Sequence, residues 1–150
     1  MKRVARLAAV ATLLFVAACA QTAPPRPQAL DLRGVWTGDN EALVHGAALH
    51  HPPGAPSTTS RGAYRLRNHT ITYRIDGQEG RRFWGTMASP ERAGIRLIGS
   101  FSIDNQWIYM VSHEGFLDGS VIDANTIEMC YRHADPRTAV IGCNIMKRQK

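Results

Sequence analysis

Six histidines, three cysteines and 12 carboxylates are the groups that this 150-residue sequence offers for chemistry. His45, His50 and His51 come nearest to a metal-ligand spacing, but zinc takes three or four converging ligands. No carboxylate or thiol stands beside the trio in a familiar pattern, so His50 and His51 read as an exposed loop pair and no metal ion is assigned. Ser112-His113-Glu114 with Asp118 has the residue types of a catalytic triad. Neighbours on a strand point to opposite faces, however, and cannot form the convergent relay that nucleophilic catalysis needs. The sequence contains no Gly-x-Ser-x-Gly elbow, P-loop or Rossmann fingerprint. A pair of carboxylates brought together by folding, as in glycoside hydrolysis, is the catalytic arrangement left open. No catalytic residue and no cofactor is therefore expected, and an enzyme ranks behind a binding protein.

The cysteines divide by position. Runs 126–132 and 140–147 flank a turn at Asp135-Pro136-Arg137 and read as a β-hairpin. Pairing them symmetrically about that turn sets Cys130 opposite Cys143, so a cross-strand disulfide is expected. The same register puts Ile127, Met129, Tyr131 and Met146 on one face and Glu128, Cys130, Arg132, Cys143 and Lys147 on the other. That is the period-2 split of a half-buried antiparallel pair, with the disulfide on the outer face.

The third cysteine closes a different segment. Lys2, Arg3 and Arg6 form a basic start, and 7–18 is an apolar run ending in small residues, too short for a membrane span, which needs roughly 20 apolar residues. Val16-Ala17-Ala18-Cys19 resembles a bacterial lipoprotein box, in which the cysteine is diacylated and becomes the new N-terminus. The resemblance implies a signal peptide over 1–18 and a lipid anchor at Cys19. Because Ala20 rather than Asp follows, it also implies sorting to the outer membrane, facing the periplasm. Each buried acyl methylene contributes about 0.8 kcal/mol, so two or three chains hold the protein without a transmembrane helix. The alternative is ordinary cleavage at Ala18-Cys19-Ala20, which releases a soluble periplasmic protein. Either compartment is oxidising enough for the disulfide.

Loss of the signal lowers the formal charge from +6 and leaves 15 basic against 12 acidic residues. Arg61, Arg65, Arg67, Arg81 and Arg82 then read as a solvated strand face, and no block resembles a nucleic-acid arm. Residues 19–30 carry three prolines and little to bury, so they read as an acylated, partly polyproline tether before a single domain over 31–150.

The elements that must position these groups are short strands. The first real signal is 31–38, which contains Gly34-Val35-Trp36; 41–49 is a weaker second strand. Residues 50–60, with Pro52, Pro53 and Pro56, read as the longest loop and a candidate contact surface. Beyond it, 63–67, 70–75, 81–87, 95–103, 107–111 and 116–122 read as strands, with 70–75 and 81–87 split into two faces, separated by turns at 76–80, 89–94, 104–105, 114–115 and 123–125. Strands at this spacing without a helical period argue for an all-β antiparallel meander, closing into a barrel of about eight strands so that no edges remain.

Gly34-Val35-Trp36 on the first strand with Arg148 on the last resembles the calycin pattern of lipocalins, fatty-acid-binding proteins and avidins. There a Trp near one end of the barrel packs under a cationic side chain, so the resemblance implies that Trp36 and Arg148 close this barrel. The segments 80–85 and 126–133 with the late Cys143 also resemble a group of small exported bacterial proteins of unknown function. The aromatics Trp36, Trp84, Trp107, Tyr73, Tyr109, Phe83 and Phe101 either line a ligand cavity or fill the core, with Met87, Met110, Met129 and Met146 favouring a filled core. The expected function is a lipid-anchored envelope binding module for a small apolar ligand or an envelope partner, with His50, His51, Trp84, Trp107 and Tyr109 as contacts. A protein-facing inhibitor or assembly accessory using 50–60 is the alternative.

Overall fold

The computed structural model describes residues 28–46, 58–61 and 63–150. The expected signal segment, the expected lipid anchor Cys19 and the expected contacts His50 and His51 lie outside the described residues. All regular structure among those residues is β: β1 (Gly34–Gly46), β2 (Thr58–Arg61), β3 (Tyr64–Glu79), β4 (Arg82–Ser89), β5 (Arg92–Phe101), β6 (Trp107–Ser112), β7 (Gly115–Asp123), β8 (Thr126–Ala134) and β9 (Thr138–Arg148). Each of β3 to β9 pairs antiparallel with the next, β9 pairs with β1, and β1 pairs with β3. Eight antiparallel strands therefore close into a barrel, with β2 appended to β3 outside the ring.

Closure relies on the length of β1 and β3. The sequence divides each of them: 41–49 reads as a separate strand, 63–67 and 70–75 as two, and 76–80 as a turn. In the structure 41–46 continues β1, β3 runs unbroken from Tyr64 to Glu79, and the chain reverses at Gly80-Arg81. The physical reason is pairing on both sides. β1 contacts β3 from Gly34↔Ile75 to His45↔Tyr64 while its other edge holds β9, so polar residues such as Asn40 and Asn68 stay in the ladder. A bulge between Ile75 and Gly77 carries β3 past the Asp76-Gly77 signal that reads as a turn. Thr58 to Ser60, read as loop, belong to β2.

The core follows the period-2 pattern. Trp36, Tyr73, Ile75, Phe83, Leu97, Phe101, Ile108, Met110, Leu117, Ile127, Met129 and Met146 all point inward and are almost wholly buried. Each large side chain of this kind contributes roughly 1.5–3 kcal/mol on leaving water. Small residues make room for large ones: a Cβ on Gly99 would stand 2.3 Å from Phe83 Cζ, so the glycine is what lets that ring lie against β5.

One end of the barrel is sealed. Arg148 lies over Trp36, its guanidinium carbon 4.2 Å from the ring centre. The same side chain donates to the carbonyls of Arg33 (2.6 Å) and Asp31, while Trp36 Nε1 donates to Leu32 O at 2.7 Å. Gln78 holds the strap from the other side, accepting from Leu32 N at 2.8 Å and donating to Leu30 O at 2.9 Å. Leu32 is fully buried, and Ala29 and Leu30 pack against the core. The last residues read as tether thus belong to the folded unit.

The closing hairpin has the register expected from its turn, from Thr126↔Lys147 to Ala134↔Ala139, and Cys130 and Cys143 form a disulfide on the face opposite Met129 and Met146.

Candidate functional site

Among the described residues, two places gather candidate functional side chains. The first is the inside of the barrel at the end opposite Trp36, where the inward face changes from apolar to polar. On β3 the residues Arg67 and His69 share the inward parity of Ile71, Tyr73 and Ile75, so Arg67 is only 3% exposed. This corrects the reading of Arg65 and Arg67 as a solvated face: burial on this strand is set by parity with Ile71, whatever the charge. Arg67 pairs with Glu91 from the β4–β5 turn, and Arg92 pairs with the buried Glu114 from the β6–β7 turn. Tyr131 donates its hydroxyl hydrogen to Glu114 O at 2.6 Å. Both ring nitrogens of His133 face oxygens, Glu114 O at 2.7 Å and Asp135 Oδ2 at 3.0 Å.

The electrostatics of this mouth are balanced rather than open. The buried Arg67 guanidinium and the buried Glu114 carboxylate each have an opposite charge, which is the condition for burying charge at tolerable cost, while Arg65 Nη2 and His69 Nδ1 are buried without a hydrogen-bond partner. Burial pushes the Tyr73 phenol well above its ordinary range, opposed by a hydrogen bond to Asn144, and burial also raises Tyr131. Burial, with help from the charge on Arg67, lowers His69. Among the described residues, the pocket inside this mouth, lined by Asn40, His69, Tyr73, Arg92, Glu114 and Tyr131 among others, is about 40 Å³. A volume of that size admits about a water molecule and no organic ligand.

The second place is on the outside. Outward-facing residues of β4 to β8 form a groove of about 710 Å³, with Ile98, Ser100 and Val111 as its floor, Trp84 on one side and Tyr109 and Phe116 on the other. Ile98 is 62% and Phe116 63% exposed, so this apolar surface faces solvent. Register explains why it is continuous: Trp84 pairs with Ile98, Ile98 with Val111, and Val111 with Phe116. The rim is charged but neutral in sum, with Glu79 and Arg82 3.2 Å apart on one side and Asp118 paired with Arg132 on the other. Trp84 also crosses Gly77 on the neighbouring strand, where a Cβ would meet its ring at 2.2 Å. The indole lies over the glycine, which leaves room for it.

The expected aromatic contacts separate accordingly. Trp36, Tyr73, Phe83 and Phe101 fill the interior, while Trp84, Trp107 and Tyr109 stand outside, so those three line no internal cavity. A strand can put only one parity inside, and Phe83 and Met87 on β4, like Ile108 and Met110 on β6, already occupy it. Trp84 and Tyr109 come together in the groove; Trp107 lies beyond it, beside Ser120. Of Ser112, His113, Glu114 and Asp118, His113 Nε2 lies 3.7 Å from Glu114 Oε1 and Ser112 Oγ accepts from Glu114 N at 3.1 Å, whereas Asp118 stands apart on the groove rim with Arg132. Among the described residues no three His, Cys, Asp or Glu side chains gather to hold a metal ion. Sequence reasoning missed Ile98, Val111 and Phe116 as surface residues, although their register across four adjacent strands was the signal that could have found them.

A scan against protein-family models gives no match, and a search of curated proteins gives none either. Among solved structures, the crystal structure of Rv2717c from M. tuberculosis is similar at 15% identity and a TM-score of 0.37, over 79% of this chain and 93% of that one.

Proposed function

We propose that this chain is a lipid-anchored envelope protein that works as a binding module and takes its partner on the outside of the barrel, in the groove between Trp84 and Phe116. One observation carries the reading: among the described residues the interior pocket holds about 40 Å³, whereas the outer groove offers about 710 Å³ lined by exposed aromatic and aliphatic side chains. A barrel that carried a small apolar ligand inside would need some 300 Å³ or more of internal space. Monomeric proteins rarely leave large contiguous apolar surfaces uncovered unless something binds there. The reading involves binding without a reaction. Its envelope part rests on the basic start, the apolar run and Val16-Ala17-Ala18-Cys19.

Native mass spectrometry of the full-length protein, purified in mild detergent from its own envelope, tests the groove. The wild-type protein should carry an added mass that Trp84→Ser with Phe116→Ser loses while the Cys130–Cys143 disulfide stays intact. An added mass retained by that variant sinks the groove reading. Labelling with radioactive palmitate tests the anchor: Cys19→Ser should abolish incorporation, and unchanged labelling rules it out.

A further inference from the structure

Resting on the outer-groove reading, we infer that the occupant of the groove is a single-chain anionic amphiphile, an alkyl chain ending in a phosphate monoester, whose head is held by Arg74, Thr86 and Arg96. The register sets a cationic row beside the apolar one. Trp84 pairs with Ile98 across β4 and β5; two residues further along the same strands and on the same outward face, Thr86 pairs with Arg96, and Arg74 of β3 pairs with Thr86. Two residues of strand cover roughly 7 Å and two strand spacings roughly 10 Å. Both guanidiniums therefore reach a group placed over Thr86, at one end of the groove floor.

These two cations differ from the others around the groove. Arg82 and Arg132 have Glu79 and Asp118 in place, whereas Arg74 and Arg96 are exposed and, among the described residues, form no ion pair. The outward neighbours Thr72 and Ala88 bring no carboxylate to them. The groove is thus apolar along its floor, neutral at its rim and cationic at the end nearer the β4–β5 turn. A phosphate monoester carries close to two negative charges at neutral pH and three acceptor oxygens. That matches two guanidiniums with a hydroxyl between them, and hydrogen bonds between ionised partners are the strong ones.

A chain continuing from that head runs over Ile98, with Trp84 on one side and Val111 and Phe116 on the other, and each methylene it buries adds to affinity. Concavity decides between a single amphiphile and a membrane surface. A flat bilayer would touch the rims and leave the floor uncovered, whereas a groove of about 710 Å³ lies in the size range of sites for single small molecules.

Native mass spectrometry of the full-length chain in a mild neutral detergent, titrated with dodecyl phosphate, dodecanol or dodecyltrimethylammonium, tests head and chain separately. Dodecyl phosphate should bind at least tenfold more tightly than the other two. Arg74→Gln with Arg96→Gln should weaken it at least tenfold and leave dodecanol unaffected, whereas Arg137→Gln, which removes a cation from the β8–β9 turn, should change it less than twofold. Circular dichroism and an intact disulfide check that each variant is folded. Dodecyl phosphate that binds no better than dodecanol, that binds the double variant equally, or that is weakened as much by Arg137→Gln overturns the inference. Displacement by an equal concentration of inorganic phosphate would mark a site for a bare anion and overturns it too. The groove reading is judged apart: it stands if Trp84→Ser with Phe116→Ser removes the mass carried from the envelope, and falls if that mass stays.

Discussion

Arg148 bears more of the sealed end than its position two residues from the last described one suggests. It combines a face-on contact with Trp36 and hydrogen bonds to the carbonyls of Arg33 and Asp31. Charge-assisted bonds contribute about 1.5–3 kcal/mol and a partly desolvated cation–π contact about 1. Arg148→Met keeps the aliphatic bulk and removes both, so it should lower stability by about 2–3 kcal/mol and red-shift the emission of the buried Trp36; an unchanged denaturation midpoint would refute the role. His69 makes a pH prediction. Its folded pKa is depressed, by burial first and then by Arg67, so the unfolded chain binds its proton more readily. The contribution is fully present above the ordinary value of about 6.5 and is lost as pH falls through the depressed folded value. Asp31, held down to about 2 by its hydrogen bonds from Arg33, acts in the same direction at much lower pH. The melting temperature should therefore fall from pH 7 to pH 5, and His69→Gln should flatten that step; an equal slope in both proteins would exclude His69 as its source.

At the scale of elements, the closing hairpin and the β3–β4 pair do different work. The disulfide joins strands already paired in register across a turn, with the cysteines 13 residues apart, and a cross-link over a loop of that length stabilises by up to roughly 3 kcal/mol. Cys130→Ser with Cys143→Ser should lower stability by about 2–3 kcal/mol, read from urea unfolding. The cysteines should resist alkylation in the native protein until a reductant is added. On β3 and β4 the pairing of Gly77 with Trp84 makes room for a groove side chain without touching the core. Gly77→Ala should displace the indole, change stability by less than about 1 kcal/mol because an exposed ring can swing away, and weaken groove binding several-fold. Binding equal to wild type would show that the indole over Gly77 is not needed.

For the molecule as a whole, the division between a filled inside and an apolar outside decides how it can bind. An apolar naphthalene dye should bind the native protein on the groove, and Trp84→Ser with Phe116→Ser should remove most of that binding while leaving the emission of Trp36 unchanged. Dye binding retained by that variant would instead place the ligand elsewhere on the molecule. The interior polar mouth fits the same division. Arg67, Glu91, Arg92 and Glu114 pair across three segments and so fasten the open end.

Much of this was legible in the linear sequence because strands impose a local rule. Alternation of apolar and polar residues split β4, β8 and β9 into two faces, turn signals bracketed β5 to β7, the symmetry of the closing hairpin placed Cys130 opposite Cys143, and Gly34-Val35-Trp36 with Arg148 marked the sealed end. What alternation cannot decide is anything set by a neighbour distant in sequence. Whether β1 and β3 continue through polar stretches depended on having a partner on each side, and burial of Arg67 depended on Glu91 arriving from another turn. The groove is of the same kind: Trp84, Ile98, Val111 and Phe116 are spread over 33 positions of sequence and form one surface only because four strands hold them at one level. Local residue type fixes which way a side chain points, and only tertiary pairing decides what stands beside it.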